Sequence, residues 1–433
     1  MTTVPSPRAT AQHRLPTNTT TRHHPVHRWL NFIAGFSPEF VNAAIIQAAL
    51  PAEAILLDPF TGMATALVES NLTGIDAIGY EPHPFFYDIA LAKVSARNET
   101  DLDVIESILK SDDQPVDAHR LWGPDAHTFL SKLIDKGNLA ALAQLRAAED
   151  RCPAELRNLY RLVVTRILEG AAGAKTDGIY KAPTTLKRSV DIEHTTKAVL
   201  GQIRQDIGII VGNEQLDLFP KPKHGTSVIY GHTAEAMPEI AESSIDICVT
   251  SPPYFNNFDF AEMTRMELYY WNYAASWREI TDQVRSKLII NTTTAPTAER
   301  RRQDHWVASI PDEILATLMD LKTALTQQKL QRPGKKEYDS LVFPYFSQMN
   351  SVIKEVHRTL KAGASFHMVV SDAALYGVHV HTEDLLAHLM SLEGFEVKEI
   401  IRLRDRGGRW VLSKRQGSAD GLGEFHIHAV KGV

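Results

Sequence analysis

Cysteines and long apolar runs are both scarce in this sequence, and each scarcity excludes a class of protein. Among 433 residues the only cysteines are Cys152 and Cys248. Two distant cysteines exclude a disulfide scaffold and a thiolate zinc site, and their scarcity predicts the reducing cytoplasm as the compartment. No apolar stretch reaches the ~18–20 residues of a membrane-spanning helix, so we expect no membrane association.

Acidic residues are missing from positions 1–38, although the complete chain carries a formal net charge of −6. This first segment mixes arginine and histidine with threonine and proline, which predicts a disordered basic tail over 1–24. The net negative charge does not favour a nucleic-acid-binding protein. It does not exclude one either, because binding to phosphates depends on local basic patches rather than on total charge.

The composition, 44% hydrophobic and 23% charged, is that of a soluble globular protein with a real core. From Pro51 onward, short apolar strands alternate with helix-like segments, which predicts an α/β domain. Two segments interrupt this alternation: 96–222 is mostly helical, and 255–340 is rich in aromatic and charged residues. We therefore predict a core in two parts, 25–95 and 223–433, separated by the first insertion and interrupted by the second.

The stretch DPFTGMAT, Asp58–Thr65, lies between a predicted strand and a predicted helix, and Glu81 ends the next strand 23 residues after Asp58. A glycine-bearing turn followed after about 20 residues by an acidic side chain is the usual arrangement for holding a nucleoside ribose. Gly62 lets the backbone approach the ligand, and the Glu81 carboxylate can accept hydrogen bonds from both ribose hydroxyls. Such a turn alone often serves only packing; the acidic partner is what favours a nucleoside cofactor.

The stretch TSPPYFNN lies at the carboxyl end of a later predicted strand, where open parallel sheets bind ligands. Its two prolines stiffen the loop and remove backbone donors, which leaves carbonyl acceptors. Those acceptors and the adjacent tyrosine suit a flat ring that bears an exocyclic amine. In isolation the stretch would be a stiff proline turn. After a nucleoside-type turn, we interpret it as a base-binding loop.

In this order, DPFTGMAT, GYEPHP and TSPPYFN resemble the amino-type DNA methyltransferases, which transfer a methyl group from S-adenosylmethionine to cytosine N4 or adenine N6. The resemblance covers about 25–95, 223–255 and 340–433. Within it, RWLNFIAGFSPEFV resembles the family's amino-terminal region that closes over the methionine part of the cofactor. The resemblance implies an α/β, Rossmann-like class I methyltransferase core with a seven-stranded, mostly parallel sheet. Two largely helical insertions would interrupt the core, and 96–222 is a candidate for target recognition.

The resemblance also assigns roles to individual residues. S-adenosylmethionine would be bound by Asp58, Phe60, Thr61, Gly62, Thr65 and Glu81. The target base would be held, and the reaction catalysed, by Ser251, Pro252, Pro253 and Tyr254. Ala64 replaces the second glycine of the family's first motif. His232 replaces an acidic residue that contacts the adenine amine of the cofactor, and a histidine nitrogen can accept the same hydrogen bond.

The segment 400–415 carries six lysine or arginine residues against one aspartate. It follows the last predicted parallel strand, so its loop would reach the catalytic face. We predict contacts with DNA from Arg402, Arg404, Arg406, Arg409, Trp410, Lys414 and Arg415. The alternative is a solvated hairpin loop. The 18 histidines form no ligand-spaced cluster, and no metal site is expected.

Together these features predict a site-specific DNA methyltransferase that modifies the exocyclic amine of a base flipped out of duplex DNA. The serine before the two prolines favours cytosine N4, and adenine N6 stays open. Such an enzyme would serve DNA methylation in restriction–modification, with a separate restriction endonuclease as a candidate partner. Two alternatives also stay open: an RNA exocyclic-amine methyltransferase, and a non-catalytic nucleic-acid-binding protein with a degenerate methyltransferase fold.

Overall fold

The computed structural model describes residues 21–30, 36–51, 53–95, 98–110, 116–176, 181–186, 190–215, 224–256, 258–294, 303–331, 337–406 and 421–432. The basic tail predicted over 1–24 lies mostly outside these residues. Among the helices that are described, none has both the length and the apolar character needed to cross a membrane.

In chain order, the described strands are β1 (Ile55–Asp58), β2 (Asp76–Tyr80), β3 (Ala174–Thr176), β4 (Lys181–Leu186), β5 (Ser227–Tyr230), β6 (Ile245–Thr250), β7 (Leu360–Ser371), β8 (Ala373–Leu375), β9 (Val378–Val380), β10 (Phe395–Arg406) and β11 (Leu422–Lys431). A seven-stranded sheet has the order β10-β11-β7-β6-β1-β2-β5. The pairs β3–β4 and β8–β9 form two small antiparallel ribbons.

Strands β5, β2, β1, β6 and β7 run parallel, whereas β11 runs antiparallel to both β7 and β10. The last strand but one, β10, therefore points the same way as the parallel strands. The predicted Rossmann-like fold with a seven-stranded, mostly parallel sheet is confirmed. The strand order reverses between β1 and β6, and the crevice outside their carboxyl ends is where sheets of this kind bind ligands.

The central strands are buried on both faces, which explains why they read as continuous apolar runs. Leu56 of β1 packs with Leu67 in the core on one side of the sheet. Its neighbour Leu57 packs with Ile353 in the core on the other side, because successive side chains of a strand point to opposite faces. All four of these side chains are fully buried.

The helices are α1 (Pro38–Ala48), α2 (Thr65–Leu72), α3 (Pro84–Val94), α4 (Glu99–Leu109), α5 (Ala118–Leu133), α6 (Lys136–Ala148), α7 (Arg157–Ala171), α8 (Ile192–Gln215), α9 (Phe260–Met263), α10 (Arg265–Tyr270), α11 (Trp277–Glu279), α12 (Gln303–Val307), α13 (Asp312–Leu330), α14 (Val342–Thr359) and α15 (Thr382–Leu392). A π-helical turn spans Ile280–Val284. Short 3₁₀ turns span His27–Trp29, Glu149–Arg151, Ala154–Leu156, Arg285–Lys287 and Tyr338–Leu341.

Helix α14 ends earlier than its sequence suggests. The glycine at 363 predicts the end of the helix, but the helix stops at Thr359 and β7 begins at the next residue. Ser243 N and Ser244 N donate to the carbonyls of Arg358 and Thr359, at 3.0 and 2.8 Å. These donors come from the turn before β6, so a long-range contact ends the helix, and Gly363 lies inside β7 with φ +77°.

The described part of the segment 96–222 is mostly helical, and it contacts residues 26–29. Asp206 of α8 is completely buried. Its carboxylate accepts hydrogen bonds from Val26 N at 3.2 Å and from Trp29 Nε1 at 3.0 Å, and it pairs with the Arg28 guanidinium. A bidentate ion pair supplemented by two further donors holds Val26, Arg28 and Trp29 against α8.

Removing this buried carboxylate is expected to destabilise the protein strongly. Asp206→Ala leaves the donors of Val26, Arg28 and Trp29 without their partner, so the free energy of unfolding should fall by about 3–5 kcal/mol. Urea unfolding followed by tryptophan fluorescence measures this. The matched control is Asp103→Ala, since Asp103 pairs with Arg204 but its side chain is 68% exposed; that change should cost less than about 1 kcal/mol. Equal losses in the two variants would contradict the anchoring role of Asp206.

Candidate active site

A cleft opens at the carboxyl ends of β1, β2 and β6. Its lining includes most of the residues that the sequence assigns to the cofactor and all four assigned to the base: Asp58, Phe60, Thr61, Gly62, Thr65, Glu81, Ser251, Pro252, Pro253 and Tyr254. The turn after β1 and the loop after β6 thus share one cavity, although about 190 residues separate them in sequence.

Asp58 is the last residue of β1 and is 1% exposed. Its Oδ1 accepts hydrogen bonds from Thr250 Oγ1 at 2.6 Å and from Phe60 N at 3.1 Å. Burial raises the pKa of Asp58 to about 7, and the two donors only partly oppose that rise. The Asp58 carboxyl group therefore lines the cleft in a buried position that disfavours its charged form.

Glu81 follows β2 and is 6% exposed. Its Oε2 accepts from Gly62 N and its Oε1 from His83 N, both at 2.8 Å. Burial raises the pKa of Glu81 to about 8, and the nearby Asp58 carboxyl adds to the rise. Gly62 donates from a left-handed turn with φ +51°, a conformation that favours glycine. The glycine thus couples the first turn directly to the acidic residue.

The chemistry of this cleft fits S-adenosylmethionine. Two buried carboxyl groups lie close together, and no basic side chain among the described residues is hydrogen-bonded to either of them. The ionised forms of these two groups have no cationic partner among the described residues, so the cleft favours a ligand that brings positive charge and hydroxyl donors. The cofactor has both, in its sulfonium and ammonium groups and in its ribose. Asp58 and Glu81 would hold it, and Phe36, which enters from the segment before α1, lines the same cleft.

Tyr254 ends the proline loop and is 9% exposed. Its hydroxyl donates to Glu424 Oε1 of β11 at 2.7 Å. Burial and the neighbouring Glu424 carboxylate raise the pKa of Tyr254 well above its usual value, so the phenol stays protonated. Tyr345 of α14 donates to the Pro253 carbonyl at 3.0 Å. Hydrogen bonds to Glu424 of β11 and from Tyr345 of α14 thus hold the loop, and Tyr254 lines the cleft.

The structure describes residues 400–406 of the basic segment 400–415 that was predicted to contact DNA. Arg402, Arg404 and Arg406 lie near the carboxyl end of β10, the same edge as the proline loop. Arg404 Nε pairs with Glu424 at 2.6 Å, and the Arg406 guanidinium lies 4.9 Å from the centre of the Tyr254 ring. Arg402 bonds to Asp405 at 3.0 Å and to the Gly421 carbonyl. The others, Arg409, Trp410, Lys414 and Arg415, lie outside the described residues.

His232 is the one predicted cofactor residue that does not line the cleft. Its Nε2 bonds to Glu239 at 2.9 Å, and its ring packs edge-on against Tyr80 at 5.2 Å. The next two residues, Thr233 and Ala234, line the cleft instead. The predicted contact of His232 with the cofactor's adenine stays a prediction.

Several residues that line the cleft were not predicted from the sequence. His83 caps α3 and its Nε2 lies 3.0 Å from Thr264 Oγ1; burial lowers the pKa of His83 to about 3, so the ring is neutral. The second insertion contributes further lining residues, among them Phe260, Asn291 and Thr294. The GYEPHP motif contains His83 and could have indicated it. Nothing in the local sequence around Asn291 indicates that it reaches the cleft.

The sequence of the chain resembles those of Type II methyltransferases. No family model matches the chain. It is 23% identical over 403 residues to the Type II methyltransferase M.AvaI of Nostoc, which covers 88% of this chain and 81% of the relative. It is 22% identical over 419 residues to the Type II methyltransferase M.BsoBI of Geobacillus stearothermophilus, covering 89% and 82%. Among solved structures, a SAM-dependent methyltransferase of Methanosarcina mazei aligns over 90% of this chain and 97% of its own at 13% identity, but the TM-score of 0.29 is too low to support an argument.

The strand order, the acidic cleft and these relatives define the class: the chain is an S-adenosylmethionine-dependent methyltransferase. Its predicted resemblance to the amino-type DNA methyltransferases is confirmed, since the curated relatives that span most of its length are Type II methyltransferases.

Proposed function

We propose that the chain transfers a methyl group from S-adenosylmethionine to the exocyclic amine of a base extruded from duplex DNA, with cytosine N4 favoured over adenine N6. The observation that carries this proposal is that one cleft contains both the acidic cofactor turn and the Ser251–Tyr254 loop. The Type II class of the relatives supports DNA as the substrate. Ser251, in place of an acidic residue before the prolines, supports cytosine.

The cofactor supplies an already activated methyl group, so the protein has to position the base and stabilise charge on the attacking nitrogen. An aromatic amine is a weak nucleophile because its lone pair is delocalised into the ring. The Ser251 hydroxyl and the Pro252 carbonyl would accept hydrogen bonds from its two N–H groups and favour the developing positive charge. Of the two proline carbonyls, that of Pro253 already accepts from Tyr345. The methylated amine is acidic enough to lose its proton to water.

The base has to leave the stack of the duplex to reach this cleft. The Tyr254 ring would stack on the extruded base, while phosphates would meet the basic residues at the end of β10. Arg406 lies over the Tyr254 ring, with its guanidinium 4.9 Å from the ring centre. Arg404 contributes indirectly, because it pairs with the Glu424 carboxylate that holds Tyr254.

The test is to identify the product. Duplex DNA incubated with the protein and methyl-labelled S-adenosylmethionine is digested to nucleosides, and N4-methylcytosine is the expected labelled species. N6-methyladenine instead would contradict the cytosine preference but not the enzyme class. Label that appears in total RNA and not in duplex DNA would support the RNA alternative.

The non-catalytic alternative has its own test in cofactor binding. Saturable binding of S-adenosylmethionine, lost in Glu81→Ala, would eliminate it, whereas a protein that binds DNA but no cofactor would support it. Calorimetry on the wild type and on Glu81→Ala measures this directly.

Both described cysteines are free and buried, in keeping with the predicted cytoplasmic compartment. The separate restriction endonuclease stays a prediction, which the genomic modification pattern with and without the protein would test.

A further inference from the structure

Asn291 in the second insertion has a buried side-chain amide. Among the described residues, only its oxygen has hydrogen-bond partners. The side chain lines the cleft and is fully buried. Its Oδ1 accepts from Thr293 N at 2.9 Å and from Thr294 N at 3.2 Å. Because two backbone N–H groups point at this atom, it has to be the oxygen, and the other terminal atom has to be the nitrogen.

Among the described residues, none provides an acceptor for the amide nitrogen. Nδ2 of Asn291 is among the buried side-chain atoms of the described residues that have no hydrogen-bond partner. A buried N–H₂ group with no acceptor is costly, and native proteins rarely keep one without a reason. A molecule that enters the cleft with an acceptor atom at this place would remove the cost.

The turn that contains Asn291 is attached to the segment that follows the proline loop. Thr292 N donates to the Phe255 carbonyl at 3.3 Å, and Thr293 Oγ1 donates to the Phe258 carbonyl at 3.2 Å. Ile290 N donates to Gln348 Oε1 of α14 at 2.8 Å, which fixes the other side of the turn. These contacts join Asn291 to the base-binding side of the cleft rather than to the acidic turn of Asp58.

We propose that Asn291 Nδ2 donates a hydrogen bond to the ring nitrogen beside the exocyclic amine of the target base. This inference rests on the proposed function. In cytosine and in adenine that ring nitrogen is an acceptor, N3 and N1 respectively. In thymine and guanine the corresponding ring nitrogen carries a hydrogen, so it would oppose the amide N–H₂ as a second donor. Asn291 thus selects bases that have an amine and rejects those that have a carbonyl at the reacting position.

The experiment is a double-mutant cycle between the protein and the base. Duplexes containing a mapped modification site carry either the natural target base or its deaza analogue, 3-deazacytosine or 1-deazaadenine, in which the ring nitrogen is replaced by C–H. The wild type should methylate the analogue about 10- to 100-fold more slowly than the natural base. Asn291→Asp keeps an oxygen for Thr293 N and Thr294 N but loses the amide donor, so it should be slow on the natural base and show no further loss on the analogue.

Asn350→Asp is the matched control, because Asn350 is buried in α14 but does not line the cleft. It should retain the full penalty of the analogue that the wild type shows. Equal penalties for the analogue in the wild type and in Asn291→Asp would overturn the inference while leaving the proposed function intact. An unimpaired wild type on the analogue would overturn it even if Asn291→Asp failed to fold. Absence of transfer by the wild type to any natural duplex would instead overturn the proposed function, and the inference with it.

Discussion

Tyr254→Ala lowers methyl transfer about 10- to 100-fold while S-adenosylmethionine binding is retained. The ring lines the cleft beside Ser251 and is expected to stack on the extruded base. Stacking of a base on an aromatic side chain is worth about 1–3 kcal/mol, and each 1.4 kcal/mol in the barrier changes the rate about tenfold. Single-turnover transfer to duplex DNA measures the loss, and calorimetry with the cofactor measures its binding.

Tyr254→Phe separates the role of the ring from that of the hydroxyl. This variant keeps the stacking surface and loses the hydrogen bond to Glu424 Oε1. Glu424 would still pair with Arg404, so the carboxylate is not left without a partner. Transfer by Tyr254→Phe should lie much closer to the wild type than transfer by Tyr254→Ala. If the two variants were equally impaired, the hydrogen bonds of the Tyr254 hydroxyl with Glu424 and Ser251 would be responsible rather than stacking on the base.

Asp58→Asn stabilises the cofactor-free protein at alkaline pH and weakens cofactor binding. Burial raises the pKa of Asp58 from 3.8 to about 7, so the folded protein retains a proton that the unfolded chain loses at lower pH. The stability of the wild type therefore falls as pH rises from about 4 to about 7, and the whole penalty is present above that range. At 1.4 kcal/mol per unit of pKa, the penalty is about 4 kcal/mol at most.

Asparagine at position 58 keeps the acceptor for Thr250 Oγ1 and Phe60 N but carries no charge. Its unfolding temperature should exceed that of the wild type at pH 8, and the difference should shrink towards pH 4. Added S-adenosylmethionine should raise the wild-type temperature more, because the variant has lost a carboxylate that faces a cationic ligand. Differential scanning fluorimetry across this pH range, with and without cofactor, gives all of these values.

Asp246→Asn supplies the control for Asp58→Asn. Asp246 is on β6, but it accepts from Ile55 N at 3.0 Å and pairs with Lys361 at 2.7 Å away from the cleft. Its replacement should leave stability unchanged or lower it, because a compensated charge is lost. A similar gain in stability at pH 8 in both variants would show that the effect does not depend on an unpaired carboxyl in the cleft.

The motifs predicted to bind the cofactor could be found in the sequence because they are local. A glycine turn between a strand and a helix, and an acidic residue after the next strand, are encoded within the stretch from Asp58 to Glu81. Parallel strands then bring their carboxyl ends to one edge whatever lies between them. For the same reason the basic residues of β10 could be placed at the edge of the proline loop, and Arg406 lies there beside Tyr254.

The hydrogen-bond and ion-pair partners of the site residues could not be predicted from the sequence. Glu424 bonds to Tyr254 across 170 positions, and it does so because β11 pairs antiparallel with β7 in one particular register. Arg404, predicted as a DNA contact, is paired with this same carboxylate. His232 turns towards Glu239 and Tyr80. Each of these outcomes depends on which side chains meet across elements far apart in the chain.

Local motifs were enough to predict the class of this protein, because an alternating α/β chain contains a nucleoside-type turn and a proline loop that resemble those of amino-type DNA methyltransferases. The acceptors and donors that are already used inside the cleft could be identified only from the folded molecule. Within the described part of the chain, the Pro253 carbonyl and the Tyr254 hydroxyl have hydrogen-bond partners, whereas the Asn291 amide nitrogen has none. The physical reason is that a motif states which groups are present, whereas burial and long-range hydrogen bonds decide which of them remain available to a ligand.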